Sequence, residues 1–241
     1  MNIQAYAQNS LLAQASYGLF DLLTNSDVIR ALIAPDNGGF SETQATDFVE
    51  SYKLVSYQQN TENGFAAAIF ENRITHEVTF SIRGTEGDFN DMVEADAIGI
   101  GFNGIATWQS IDLFNYYQEL TTPAGQAYTA YSYSSGIYTP LGLTIVPAGV
   151  TTEVKIAGDG YKLSSSGFNI AGHSLGGHLS IVLSRLAEDS VKSVFTYNAP
   201  GFDTALVPAA NNTEWLFNTL AALQVAETGA TSIGTKFSPE K

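Results

Sequence analysis

No cysteine occurs in the 241 residues. That absence excludes disulfides, thiolate metal sites and a cysteine nucleophile, while leaving the cellular address open. Basic residues are also scarce: ten Lys and Arg stand against 24 Asp and Glu, for a formal charge of −14. A polyphosphate partner would be repelled by that field, so no nucleic acid is expected. The acidity suits either solubility or a secreted protein that meets calcium. The N-terminus, "MNIQAYAQNSLLAQASYGLF", lacks the basic start and long apolar core of a conventional signal peptide. No apolar run approaches the roughly 20 residues of a membrane span. The expectation is secretion by a signal outside this chain, or otherwise a cytoplasmic protein. Histidine, the usual base of acyl-transfer chemistry, is present three times only: His76, His173 and His178.

What is present is enough for a large core, with 44% apolar residues over this length. The stretch "NSLLAQASYGLFDLLTNSDVIRALIA" has the spacing of one or two amphipathic helices. Ser41 followed by Gln44 resembles a capping box for a helix through Glu50. Three strand-like runs follow, "KLVSYQQ", "GFAAAIFEN" and "HEVTFSIRGT", the last two joined around Asn72-Arg73-Ile74-Thr75 as a hairpin. A polar helical stretch, "DFNDMVEADAI", precedes "IATWQSIDLFNYYQEL", a helix with Trp108, Ile111, Phe114 and Tyr117 along one side. Residues 121–167 are rich in Tyr, Ser, Thr and Gly and form an insertion, either with its own hairpins or as a mobile cover. Its tyrosines could present an aromatic surface to lipid or glycan. "FNIAG" and "VKSVFTYNAPG" are strands, and "NNTEWLFNTLAALQVAE" is a last helix that ends near Gly229.

One stretch carries chemistry. Gly172-His173-Ser174-Leu175-Gly176 is a G-x-S-x-G pattern, with an apolar strand before it and Leu179, Val182, Leu183 and Leu186 at helical spacing after it. In a chain with 22 glycines the pattern alone is weak, and its context strengthens it. A sharp strand-to-helix turn thrusts a serine hydroxyl outward. Gly172 and Gly176 give such a turn room, and the helix N-terminus offers N–H groups where negative charge would develop. The N–H of Leu175 is the expected first oxyanion donor. A second feature is a strand ending at Ile82-Arg83, after which Gly84-Thr85 opens a loop.

The blocks "TFSIRGTEGDFNDM", "FNIAGHSLGGHLSIVLSRLA" and "VFTYNAPGF", in this order, resemble the class 3 lipase family, the fungal triacylglycerol lipase-like branch of the α/β-hydrolases. They are also similar to bacterial secreted lipase domains that carry calcium-binding glycine-rich repeats further along. The likeness runs from about Lys53 to Phe202. It implies an α/β-hydrolase-like fold over residues 1–241, with a mostly parallel sheet, flanking helices and an antiparallel hairpin. It also implies that Ser174 attacks an ester carbonyl to form an acyl-enzyme. Leu175 and Thr85 then supply the oxyanion N–H groups, and Asp91 is structural. The chemistry needs no cofactor or metal in this chain; a longer protein could carry structural calcium. The implied partner is a lipid or ester substrate, with transient contact to lipid surfaces. Ester type and oligomeric state are left open.

The family's order is serine, acid, histidine, and no histidine follows His178. His173 is expected to pack beside the turn, pointing away from Ser174. His178 is expected to meet a polar group in or near the interior, and His76 to be exposed. The acid is not identified either: Glu188, Asp189, Asp203, Glu214, Glu227 and Glu240 follow the elbow, and none stands where the family's acid would. Two explanations remain. The chain is truncated ahead of the acid and histidine of a longer lipase or esterase, or it is a catalytically impaired lipase-like binding or scaffold protein. The acidic run around Asp88, Asp91, Glu94 and Asp96 lacks the spacing of a calcium loop and is expected to be a solvated helix face.

Overall fold

The computed structural model describes residues 3–21, 24–35, 38–84, 105–134, 137–138, 144–146, 149–156, 158–160, 163, 167–202 and 212–235. Contacts divide the chain into two units: Met1–Phe89 with Leu163–Pro200 and Thr235–Lys241, and Asn90–Lys162 with Gly201–Gly234.

The first unit begins with three helices, α1 (Ile3–Ala15), α2 (Asn25–Ile33) and α3 (Glu42–Ser51). Serine starts α3 for the reason read from the sequence. The Ser41 hydroxyl accepts from Gln44 N at 3.2 Å and the Gln44 side chain accepts from Ser41 N at 3.0 Å, so two otherwise orphaned donors are satisfied. Strands β1 (Tyr52–Gln58), β2 (Ala67–Asn72) and β3 (Val78–Ile82) form an antiparallel meander. Asn72 closes the β2–β3 turn by accepting from the N–H groups of Ile74 and Thr75, each at 2.9 Å.

Beside β3 runs β8 (Phe168–His173) and beside that β9 (Val191–Tyr197), both pairings parallel. The sheet order is β1-β2-β3-β8-β9, two antiparallel pairings at one end and two parallel ones at the other. The helix α5 (Leu175–Leu186) crosses between β8 and β9. Alternate residues of β8 point to opposite faces. Ala171 joins a buried cluster with Leu12, Ala13 and Ala15 of α1, Leu32 of α2 and Phe48 of α3. Gly172 faces α5 instead, against Gly176 and Ser180. Both faces are thus covered, which is why Ala67, Ala68, Ile69 and Phe70 of β2 are all buried rather than alternating. A mixed sheet between helical layers, with a strand–serine–helix turn at its parallel end, is an α/β-hydrolase-like architecture.

The second unit holds α4 (Thr107–Thr121), the strand pair β4 (Ala127–Ser134) with β7 (Gly149–Ile156), the short pair β5 (Ile137–Tyr138) with β6 (Thr144–Val146), and α6 (Thr213–Thr228). The stretch at 121–167 therefore does carry hairpins. Side-chain amides tie α4 to β4: Asn115 donates to Tyr131 O at 2.8 Å and accepts from Tyr131 N at 2.7 Å, and Gln118 donates to Thr129 O at 2.9 Å. Of the four residues expected along one side of α4, Ile111, Phe114 and Tyr117 are buried, whereas Trp108 is 41% exposed and rests edge-on against Tyr133. Asn212 caps α6 by accepting from Trp215 N at 3.0 Å, and Gly229 ends it in the left-handed conformation. No helix among the described residues is long and apolar enough to cross a membrane. The polar helical stretch expected around Asp88 to Asp96 lies outside the described residues.

Candidate active site

Strand β8 ends at His173, α5 begins at Leu175, and Ser174 alone makes the turn, with φ 55° and ψ −126°. A non-glycine residue in that region costs of order 1–3 kcal/mol and persists only where its surroundings over-determine it. They do so here through the backbone. Ser174 N donates to Tyr197 O at 2.9 Å, and Ser174 O accepts from Gly177 N at 2.9 Å and His178 N at 3.2 Å. Since those two bonds start the helical ladder, the N–H groups of Leu175 and Gly176 precede it, at the positive end of the helix dipole. Leu175 itself is buried and Ser174 half-buried.

The glycines around Ser174 are explained by space. A Cβ on Gly172 would run into Gly176 O and come 2.5 Å from Ser180 Oγ, which donates to Gly176 O at 2.7 Å. One on Gly176 would collide with Ile82 O and stand 2.8 Å from the Arg83 carbonyl carbon. Both were named from the sequence pattern. Gly177, whose Cβ would be 2.7 Å from that of Ala199, was not named, and Gly84 was named only as opening a loop. At Gly84 a Cβ would strike Tyr17 OH, lie 2.6 Å from His173 O and reach 3.3 Å from Ser174 Cβ. Their only sequence signals were the second glycine of "SLGG" and the glycine after Arg83.

Gly84 reaches the elbow because β3 pairs in parallel with β8, Ile82 opposite Gly172. The strand-end turn at Arg83-Gly84 and the serine turn are therefore neighbours, although 90 residues separate Gly84 from Ser174. Thr85 lies outside the described residues, as do Asp88, Asp91, Glu94 and Asp96.

The three histidines are occupied elsewhere. His178 is fully buried, with Nδ1 3.4 Å from Pro200 O. His76 is exposed in the β2–β3 turn and its Nδ1 is 2.8 Å from Glu71 Oε1. Beside it Lys53 Nζ is 2.8 Å from Glu71 Oε2, and these two partners, Lys53 first, hold the Glu71 carboxyl below its ordinary range. His173 is exposed on the α1 face of the sheet, opposite in parity to Gly172, with Nδ1 3.0 Å from Tyr17 OH.

A cavity of about 300 Å³ adjoins this last pair, lined by Ser10, Ala13, Gln14, Tyr17, His173 and Tyr197. Tyr197 OH donates to Tyr6 O at 2.5 Å, and burial, reinforced by Tyr6, pushes its phenol well above the usual value.

Among the carboxylates that follow the elbow, Glu188 and Asp189 form a short 3-10 turn after α5. Glu214 and Glu227 belong to the second unit, where Tyr131 OH donates to Glu227 at 3.3 Å. Asp203 and Glu240 lie outside the described residues. Among the described residues no group of three or more His, Asp or Glu side chains is placed to hold a metal ion.

No family model matches the chain, and no curated protein does. Among solved structures the chain is similar to the Lip2 lipase from Yarrowia lipolytica at 11% identity, over 100% of this chain and 70% of that one, with a TM-score of 0.39. A likeness that slight carries no argument, and the α/β-hydrolase-like architecture rests on the sheet order and the elbow themselves.

Proposed function

We propose that this chain is a lipase-like α/β-hydrolase scaffold that binds carboxylic esters of lipids at Ser174. It turns them over weakly, through an acyl-enzyme, because the 241 residues supply no triad histidine. The observation that carries the proposal is the backbone of Ser174. A non-glycine residue at φ 55° on a strand end, ringed by Gly84, Gly172, Gly176 and Gly177, is costly geometry that presents a hydroxyl over a helix N-terminus. In its assigned role Ser174 Oγ attacks the ester carbonyl, and the N–H of Leu175, with that of Thr85, stabilises the oxyanion. Gly172 and Gly176 serve the elbow's geometry. The engaged positions of His76 and His178 favour weak turnover over full lipase activity. An unactivated serine is a poor nucleophile, while oxyanion donors and binding alone retain part of the rate.

A fully active class 3-type lipase is the second reading, favoured by the three sequence blocks around Arg83-Gly84-Thr85, Ser174 and Asn198-Ala199-Pro200. Hydrolysis of p-nitrophenyl butyrate, with Ser174→Ala as control, separates the two. A small rate that disappears in the variant supports the scaffold with weak turnover. Turnover above about 1 per second, the low end of ordinary enzymes, would favour the full lipase. Equal rates in both proteins would remove Ser174 from the chemistry.

A further inference from the structure

At the other end of the sheet from the serine turn lies a second cavity, of about 390 Å³. That is within the range of roughly 300–1,000 Å³ that small-molecule sites occupy. Tyr52, which opens β1, pairs with Asn72, which ends β2, so the cavity adjoins the start of β3, whereas Ser174 follows the end of the parallel strand β8. One wall is aromatic: the Phe48 ring lies 5.7 Å from that of Phe40 and 5.1 Å from that of Tyr52. Leu11 of α1 and Ile74 of the β2–β3 turn add aliphatic surface, and both are exposed, Ile74 to 85%. Helix α3 carries the polar part. Gln44, Asp47 and Ser51 follow the i, i+3, i+7 spacing that sets them on one face beside Phe48. The Gln44 side chain is engaged in the α3 cap, and the Asn72 side-chain oxygen in the β2–β3 turn. Asp47 is exposed and has no hydrogen bond or ion pair among the described residues. No other acidic or basic residue is found among the described residues that line the cavity.

We propose that this cavity binds an organic ammonium ion with an apolar body, the ammonium beside Asp47 and the body against Phe48, Tyr52, Leu11 and Ile74. Charge complementarity selects that class. Aromatic faces are electron-rich and attract a cation within about 6 Å of the ring centroid. One carboxylate with no basic residue beside it repels anions, so a fatty acid or a phosphate is disfavoured here. The formal charge of −14 on the whole chain raises the local concentration of cations further. A wholly apolar ligand would cover the Asp47 carboxylate without pairing it, which costs free energy. The site is independent of Ser174 and stands whether or not the proposed ester chemistry does.

The test compares three probes of one skeleton, 3-phenylpropylammonium, 3-phenylpropanol and 3-phenylpropionate, titrated at pH 7 into the intact chain and followed by backbone amide NMR shifts. The ammonium should bind about tenfold tighter than the alcohol, from an ion pair and a cation–π contact together. Its shifts should fall on α3 and the β2–β3 turn, and the propionate should bind weakest. Asp47→Asn, at an exposed helix position, should bring the ammonium to within about twofold of the alcohol. Asp47→Lys should put the propionate ahead of the ammonium. Ser174→Ala should bind all three as wild type does. An absence of shifts at α3 and the turn with about 10 mM ammonium, weaker than any specific site, would overturn the cavity as a binding site. An alcohol that binds as tightly as the ammonium, or an ammonium affinity that Asp47→Asn leaves unchanged, would overturn the assignment to a cation.

Discussion

Two strand ends of the first unit use the same rare backbone in opposite ways. His76, in the β2–β3 turn, has φ 56°, and Ser174, at the end of β8, has φ 55°. Around His76 the turn is local. Asn72 within the same six residues accepts from Ile74 N and Thr75 N, His76 N donates to Asn72 O at 3.0 Å, and the imidazole faces solvent and Glu71. Around Ser174 the restraint is tertiary. Tyr197 of β9 accepts its N–H, and Gly84 and Gly176 sit where β3 and α5 approach within backbone contact. A turn satisfied by its own neighbours tolerates changes that relax it. A turn wedged among three segments tolerates nothing larger, and its strain is kept in place by the rest of the sheet. Asn198, at φ 51°, needs no such restraint, since asparagine enters the left-handed region readily.

The contrast is most easily broken at the wedge. Gly176→Ala would set a methyl group against the backbone oxygen of Ile82 and should destabilise by about 3 kcal/mol or more in urea unfolding, the upper range for overpacking. Gly149→Ala, with nothing within 4 Å, is the control and should stay within about 0.5 kcal/mol. A mild effect at Gly176 would mean that the elbow can open and that its glycines are not spatially required.

Ser174→Gly should release strain and raise stability by roughly 1–2 kcal/mol, while Ser174→Ala, which keeps a Cβ, should leave it near wild type. Equal melting temperatures for the two variants would contradict a strained serine. At the hairpin the same relief should be smaller. His76→Gly gains the left-handed conformation but adds chain entropy and loses the Glu71 contact, so a net gain of only about 0.5 kcal/mol is expected. A gain at His76 as large as that at Ser174 would erase the distinction between local and tertiary restraint.

The smallest effect concerns Glu71. Its carboxyl is held below the ordinary value in the folded protein, so its contribution is present above the ordinary carboxylate range and lost as pH falls through the lowered value. Lys53 and His76 are largely exposed, with side-chain exposures of 42% and 74%, and solvent screens both pairs. The contribution should lie within about 0–1 kcal/mol. Comparing Glu71→Gln with wild type from pH 3 to 7, the difference should shrink on acidification; a constant gap would remove the carboxylate from the account.

Where structure depends on near neighbours, it was legible in the sequence. The capping box at Ser41 and Gln44, the Asn72 turn, the Asn212 cap, and the buried stripe of Leu179, Val182, Leu183 and Leu186 all follow from spacings of a few residues. The expected surroundings of two histidines agree with the structure, His178 buried near a polar group and His76 exposed, whereas His173, expected to pack beside the turn, is exposed with Nδ1 near Tyr17 OH. The exposure of Trp108 was not legible, because helical periodicity names a side without saying how far along the helix cover extends. Nor could the approach of Tyr17 to the elbow be read. Residue 17 carries no motif, and its place depends on how the end of α1 lies over β3 and β8.

By itself the sequence determined the order of helices and strands outside residues 85–104 and 121–167, the serine turn, and the scarcity of bases, because these depend on residue type and on periods of two to four residues. Only the tertiary structure decided that Gly84 comes up against the serine turn and that the Tyr17 hydroxyl lies beside Gly84 and His173. Parallel pairing joins strands distant in the chain, and its register, Ile82 beside Gly172, is set by packing on both faces of the sheet rather than by any local spacing.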